Sequence, residues 1–387
     1  MQYHKKEHKP TILQILPALN SGGVERGTIE IAQAISENNM QSIVSSNGGR
    51  LVSKLIELNI KHLHLPLHSK NPLVMYRNIK LLTGIIKEHG INLLHARSRA
   101  PAWSGYYAAK KAGIPFVTTF HGLYGNNLFK KHYNQIMVKS DAIIAVSNYI
   151  KAHIVELYPE VESKITVIHR GIDPAYFNAN RITKQMQEIV LAKLGIHYDV
   201  SNKSLIMLPG RISNWKGQEI FIEALSYLKE QDFLGIIIGE NHHPRYQEKL
   251  KKLVADYKLE NKIIFADPLK DMPSLYSIAD LVVVPSIKGE AFGRVAIEAQ
   301  SMGKIVIASN VGGCVETIID GKTGLLFENK NPIDFAEKIN HALNLSKHEK
   351  ELIAKNARQH VIENFNLKNM QEQTINVYNN LLGLNVT

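Results

Sequence analysis

The apolar positions of this chain follow two periods that take turns. Short β-branched runs, "TILQIL", "QSIVSS", "HLHLPL", "NLLHARS", "PFVTTF", "AIIAVS" and "ITVIH", read as strands. Between them lie segments with helical spacing: "VERGTIEIAQAISEN", "LVSKLIELN", "MYRNIKLLTGIIKEHG", "PAWSGYYAAKKAG" and "YIKAHIVELY". In the third of these, Tyr76, Ile79, Leu82 and Ile86 mark one apolar face, with Lys80 and Lys87 off it. Such alternation predicts a mostly parallel sheet with helices on both faces.

A polar, mixed stretch over about 174–203 interrupts the pattern. Alternation restarts with "SLIMLPG", the helical "QEIFIEALSYLKEQ", "FLGIIIGE", the helical "RYQEKLKKLVADYKL", "KIIFA", "LVVVPS" and "KIVIAS". The last stretch, about 55 residues, is mainly helical. At 387 residues the chain is longer than one core usually organises. The expected architecture is α/β: two doubly wound parallel-sheet domains facing across a cleft. Ligands of such sheets bind beyond the carboxyl ends of the strands, so the strand exits are where function is to be sought.

Composition narrows the class. Hydrophobic content of 44% with 21% charged residues is that of a soluble globular protein. No apolar run reaches the roughly 18 residues of a membrane span. The start, "MQYHKKEHKP", lacks the apolar core of a secretory signal and reads as a solvated tail. Cys314 is the only cysteine, so no internal disulfide forms and a reducing cytosol suits the chain. A buried, unreactive role is expected for it. The net charge of +11 is uneven: residues 1–175 hold 21 Lys+Arg against 11 Asp+Glu, while 176–387 hold 25 against 24. The basic first half admits an anionic lipid surface, a nucleic acid or an acidic substrate as partner, or a merely solubilising surface.

Four strand exits carry candidate chemistry. After the first strand, "PALNSGGVERG" puts Gly22 and Gly23 just before a helix whose N–H groups can face a phosphate. A tight turn without a ligand would use the same glycines. The spacing is not that of a dinucleotide fingerprint, because Val24 stands where its second glycine belongs. In "FVTTFHG", His121 leaves a strand end and can donate a hydrogen bond, although a packing histidine fits the position too. In "LPGRISNWKG", Arg211 and Lys216 lie in one loop between Gly210 and Gly217 and suit a diphosphate clamp, with exposed surface charge as the plainer meaning. Last, "EAFGRVAIE" sets Glu290 in a loop, Gly293 at a helix start and Glu298 inside that helix. A carboxylate grips paired hydroxyls, so one acid suits a sugar and the other a ribose, with the helix N-terminus facing a diphosphate between them. An acidic, solvated helix face is the commoner meaning of two such glutamates.

The E-x7-E pattern with Phe-Gly inside, preceded by "ADLVVVPS", resembles the donor site of glycosyltransferase family 4, retaining enzymes of the GT-B fold. The resemblance runs over about 350 residues. "SGGVER" resembles the first glycine loop of the family, "TTFHG" its histidine-glycine exit, and "VIHRGID" with Phe177 the segment usually read P-N-G-[IV]-D. "GRISNWKG" resembles its basic loop, and "VGGCVETIIDGKTGLLF" its Gly-Gly-x-x-Glu and D-G-x-T-G-x-L stretches. The resemblance implies that Glu290 contacts the donor sugar, Glu298 the ribose, and Arg211 and Lys216 the diphosphate. His121 would lie by the sugar near the reacting centre. Gly22, Gly23 and the backbone of Phe292, Gly293, Arg294 and Val295 would line the phosphates and sugar. It also implies an acceptor-side domain over 1–177, a nucleotide-sugar domain over 178–366, and a final helix, 367–387, returning to the first domain.

The expected activity is transfer of a hexose-type sugar, with retention, from a UDP- or GDP-sugar to a saccharide or lipid-linked acceptor. Lipopolysaccharide or other envelope glycans are the expected setting. No metal or cofactor is expected, nor nucleic acid, and the location is cytoplasmic, at the inner face of the membrane if the basic domain binds it. A GT-B nucleotide-sugar epimerase and a non-catalytic two-domain sugar-binding protein are the alternatives. The chain departs from the family pattern in "GENHHP", where an acidic or glycine-rich loop is usual and Glu240 is the remaining acid, in "HRG" for P-N-G, and in Cys314 at a usually aliphatic position.

Overall fold

Runs such as "TILQIL" and "PFVTTF" become strands buried along their length, whereas "HLHLPL" and "ITVIH" form strands that stay partly exposed. The computed structural model describes residues 9–20, 22–125 and 128–384. The solvated tail expected at the start lies, over residues 1–8, outside them; so do Ser21 of the first glycine loop and the last three residues of the expected final helix. Seven strands form the first sheet: β1 Thr11–Ile15, β2 Gln41–Ser46, β3 Lys61–His64, β4 Ile91–Ala96, β5 Phe116–Phe120, β6 Ala142–Ala145 and β7 Ile165–Val167. Their order is β3-β2-β1-β4-β5-β6-β7, and all pairs are parallel. Six more form the second sheet: β8 Ser204–Pro209, β9 Phe233–Ile238, β10 Ile263–Ala266, β11 Leu281–Val284, β12 Ile305–Ser309 and β13 Leu325–Phe327. Their order is β10-β9-β8-β11-β12-β13, again parallel throughout. The strand order reverses between β1 and β4 in one sheet and between β8 and β11 in the other.

The chain divides into two compact units, one of residues up to Arg170 with those from Leu367, the other Gly171–Asn366. The change falls before the expected boundary after Phe177. Backbone bonds explain it: Ile172 N–H donates to Phe365 O, and the Phe177 carbonyl accepts from Ser301 Oγ and Arg358 Nη1, all in the second unit. In the first unit the helices Gly23–Glu37 and Leu367–Leu382 cover one sheet face, where Ile12, Ile31, Leu93, Val117 and Tyr378 share a core. In the second, Ile206, Phe221, Ile237 and Leu250 do the same, and Phe327 stacks on Phe335 at 4.1 Å. Each such side chain contributes ~1.5–3 kcal/mol by leaving water.

Three details differ from the sequence reading. Strand β13 was not anticipated, since three residues carry no periodicity. The polar break contains a helix, Lys184–Lys193, started by Thr183, whose hydroxyl accepts from Met186 N–H. Tyr76, placed on the apolar face of its helix, is 60% exposed. Asn78 takes the inward position instead and donates to the Pro66 carbonyl. No described helix is long and apolar enough to cross a membrane.

Candidate active site

In the second unit the candidate residues gather where the strand order reverses. The loop leaving β8 carries Arg211 and Lys216; the loop leaving β11 carries Ser286 and Glu290. The loops are bound to each other. Ile287 N–H donates to Trp215 O at 2.9 Å, and Gln218, fully buried, donates to Arg211 O at 3.0 Å. Gly217 has φ +77°, and a Cβ there would fall 1.7 Å from the Pro285 carbonyl oxygen, so the approach requires glycine. The result is a contact: Lys216 Nζ lies 2.5 Å from Glu290 Oε1, which also accepts from Ser286 Oγ at 2.5 Å. Both charged side chains are largely buried. Arg211, in contrast, is exposed, and among the described residues its guanidinium has no hydrogen bond or ion pair. The two cations of the expected clamp are therefore held very differently.

Gly293 has φ +97° and caps the helix Arg294–Ser301 without any side-chain cap. A Cβ on it would stand 3.0 Å from Cys314 Sγ, a constraint the sequence did not reveal. Cys314 is fully buried, and burial pushes its thiol pKa well up, away from the thiolate form. Phe292 is buried edge-on against Phe365, while Val295 is partly exposed. Glu298 does not lie on a solvated face; it is 5% exposed. Its Oε2 accepts from Tyr276 OH at 2.9 Å and its Oε1 from Arg294 Nε at 3.3 Å. A carboxylate has about four acceptor positions, so hydroxyls of a ligand can still bind it.

In the first unit Gly22, φ +127°, caps the helix that starts at Gly23, again without a side-chain cap. His121 follows β5. Its Nδ1 lies 2.7 Å from Arg170 Nη2, and its Nε2 is buried without a hydrogen-bond partner among the described residues. Burial first, then the guanidinium groups of Arg170 and Arg97 and the ring of His95, hold the His121 pKa well below the ordinary imidazole value. His95 is fully buried between Tyr378 OH at 2.6 Å and Thr119 Oγ1 at 2.7 Å. Arg97, which leaves β4, is 2% exposed, and its Nε and Nη2 have no hydrogen-bond partner among the described residues.

Comparison with known proteins gives this geometry a family. Residues 21–176 match the model of "Glycosyltransferase Family 4" and residues 197–360 that of "Glycosyl transferases group 1". A crystal structure of a glycosyltransferase from Rickettsia africae is 42% identical, with TM-score 0.89, covering 97% of this chain and 99% of that one. The chain belongs to glycosyltransferase family 4. Spore coat protein SA of Bacillus subtilis is 29% identical over 309 residues, 76% of this chain and 79% of its own. HepE from Anabaena, solved with UDP-glucose, is 23% identical with TM-score 0.82, over 96% of this chain and 99% of that one.

As a family 4 glycosyltransferase the chain has the GT-B fold, two parallel-sheet α/β domains. Several contacts of this glycosyltransferase escaped the sequence reading. Ser286 was quoted only as the end of a strand motif, yet it holds Glu290. Tyr276, which holds Glu298, had no signal at all. Arg170 showed only as the departure "HRG", and His95 and Tyr378, which meet at 2.6 Å, lie too far apart in sequence to be linked. The other departing loop, "GENHHP", packs on the basic loop: Ile212 N–H donates to Glu240 O, and Glu240 pairs with His242 at 3.2 Å.

Proposed function

We propose that this glycosyltransferase moves a hexose-type sugar, with retention of configuration and without a metal, from a UDP- or GDP-sugar to an acceptor hydroxyl. The observation that carries the reading is the Lys216–Glu290 pair at the reversal of the second sheet, in the loop that leads to the uncapped helix at Gly293. Glu290 accepts hydrogen bonds from the sugar hydroxyls. Lys216, Arg211 and the backbone N–H groups from Phe292 to Val295 bear the diphosphate. Glu298 takes the ribose hydroxyls; His121, Gly22 and Gly23 are the first unit's own candidate contacts for sugar and phosphate. The bond from the anomeric carbon to the diphosphate oxygen breaks, and the acceptor oxygen bonds on the same face. The acceptor proton passes to the departing diphosphate, so no protein nucleophile is required. HepE, solved with UDP-glucose, supports a nucleotide-sugar donor.

The acceptor in this reading is a saccharide or lipid-linked glycan of the cell envelope, met at the cytoplasmic face of a membrane. The +10 excess of residues 1–175 supports an anionic surface as partner. So does a shallow cavity of about 370 Å³ in the first unit, bordered by Lys70, Met75, Tyr76, Trp103 and Tyr107. An apolar lining with a lysine at its rim suits an anionic lipid better than a bare sugar. The test of the reaction is a panel of UDP- and GDP-sugars with saccharide and lipid-linked acceptors, scored for nucleoside diphosphate release and for the anomeric configuration of the product. A retained α-configuration from an α-linked donor is expected. An inverted product, or an epimerised free sugar without transfer, overturns the reading.

A further inference from the structure

We propose that Arg170 is a positioning residue for the transfer: by donating from Nη2 to His121 Nδ1 it fixes the imidazole proton on Nε2 and makes His121 a hydrogen-bond donor. The inference rests on the reading of His121 as a sugar contact given above. A guanidinium has only donors, so His121 Nδ1 must be the acceptor in the 2.7 Å contact. A neutral ring that accepts at Nδ1 carries its proton on Nε2, and Nε2 is the buried ring atom that lacks a partner among the described residues. A buried N–H in this state calls for an acceptor, which a sugar hydroxyl supplies.

Arg170 is itself immobilised. It is 7% exposed, and Nη1 lies 3.8 Å from Met370 Sδ. The first helix lies so close that a Cβ on Gly27 would stand 2.6 Å from Arg170 Nη1 and 3.1 Å from Cζ. Gly27 is thus the space that the guanidinium occupies. Other groups facing this point favour the same neutral ring. Arg97 and His95 come from β4, and the Thr119 hydroxyl from β5 holds His95; Glu30 of the first helix and Tyr378 of the last act on Arg97. The family pattern has asparagine at position 170. An amide either donates or accepts, so it does not dictate a tautomer; an arginine does.

The test compares Arg170→Met, Arg170→Lys, Gly27→Ala and His121→Ala, singly and with His121→Ala added to each of the first three. Arg170→Met is expected to lower kcat/KM on the order of ten- to a hundredfold through a misplaced ring. Arg170→Lys, which still donates, should recover most of it, and Gly27→Ala should behave like Arg170→Met by displacing the guanidinium. Added to His121→Ala, each change should cost nothing further, because Arg170 acts through the ring. Nitrogen NMR of His121 should show in the wild type a ring that stays a neutral Nε2–H tautomer through the pH range where an ordinary imidazole takes up its proton. In Arg170→Met its pKa should move up towards the ordinary value, only in part, since burial remains. If Arg170→Met does not fold, Gly27→Ala and Arg170→Lys carry the same comparisons. A fully active His121→Ala sinks the reading of His121 itself. An impaired His121→Ala whose losses multiply with those of Arg170→Met, or an unchanged His121 spectrum in Arg170→Met, sinks the role of Arg170 alone.

Discussion

Lys216 and Glu290 neutralise each other at 2.5 Å in the structure, so replacing one alters what the other can do. In the proposed reaction Lys216 stabilises the charge that develops on the diphosphate, a task other enzymes give to a divalent cation held by D-x-D acids. This chain has no D-x-D. Lys216→Ala is expected to cost ~3–4 kcal/mol of transition-state stabilisation, by analogy with losing a preorganised donor at a developing charge. Arg211→Ala should cost less, because Arg211 is exposed and not held in place. Turnover should survive EDTA, and activity lost to EDTA and restored by magnesium or manganese would overturn the metal-free reaction. Glu298 needs a gentler substitution than alanine. Truncation removes the acceptor of the Tyr276 hydroxyl inside the protein, which threatens the fold as well as the ribose contact. Glu298→Gln keeps the volume and one acceptor. It should weaken nucleoside diphosphate binding by ~1.5–3 kcal/mol, the worth of a charged hydrogen bond, with little change in melting temperature. Unchanged affinity in calorimetry would remove Glu298 from the ribose.

The helix Arg294–Ser301 is the element on which the second unit's site turns, and its start is set by one backbone conformation. At φ +97° an alanine in place of Gly293 bears a strain of roughly 1–2 kcal/mol and also crowds Cys314 Sγ. Gly293→Ala should therefore lower both the melting temperature and the affinity for nucleoside diphosphate. Adding Cys314→Ala relieves the crowding but not the dihedral, so only part of the melting temperature should return; complete recovery would argue against the strain. The sequence made this element legible, because an apolar strand, a loop with glycine and a helical pattern follow one another within "LVVVPSIKGEAFGRVAIEAQ". Of the thirteen strands among the described residues, twelve carried a similar signal, the exception being β13. Contacts that join distant segments were not legible: Tyr276 on Glu298, Arg170 on His121, Tyr378 on His95. Periodicity reports which face of an element is buried, but not which polar side chain of another element meets it there. Tyr76 failed for a related reason, since an aromatic at helical spacing counts as core by pattern and yet sits on an open groove.

At the scale of the whole molecule the charge is divided, with an excess of +10 in residues 1–175 and +1 in 176–387. Opposite surfaces would meet this chain through its first half. Charge alone would hold it to an anionic bilayer loosely and only at low salt. The groove near Trp103 adds apolar contact through Tyr76 and Tyr107, which are 60% and 42% exposed. Two kinds of attraction predict two salt regimes. Between 0.1 M and 1 M salt the Debye length falls from ~10 Å to ~3 Å, so binding to vesicles rich in phosphatidylglycerol should drop steeply and then level at the apolar remainder. Replacing Tyr76 and Tyr107 by serine should remove that remainder while leaving the low-salt attraction and the turnover of a soluble acceptor intact. Sedimentation with vesicles of neutral and anionic composition measures both parts. Binding that ignores salt, or no binding to anionic vesicles even at low salt, would leave the basic surface as an aid to solubility and return the acceptor to the aqueous phase.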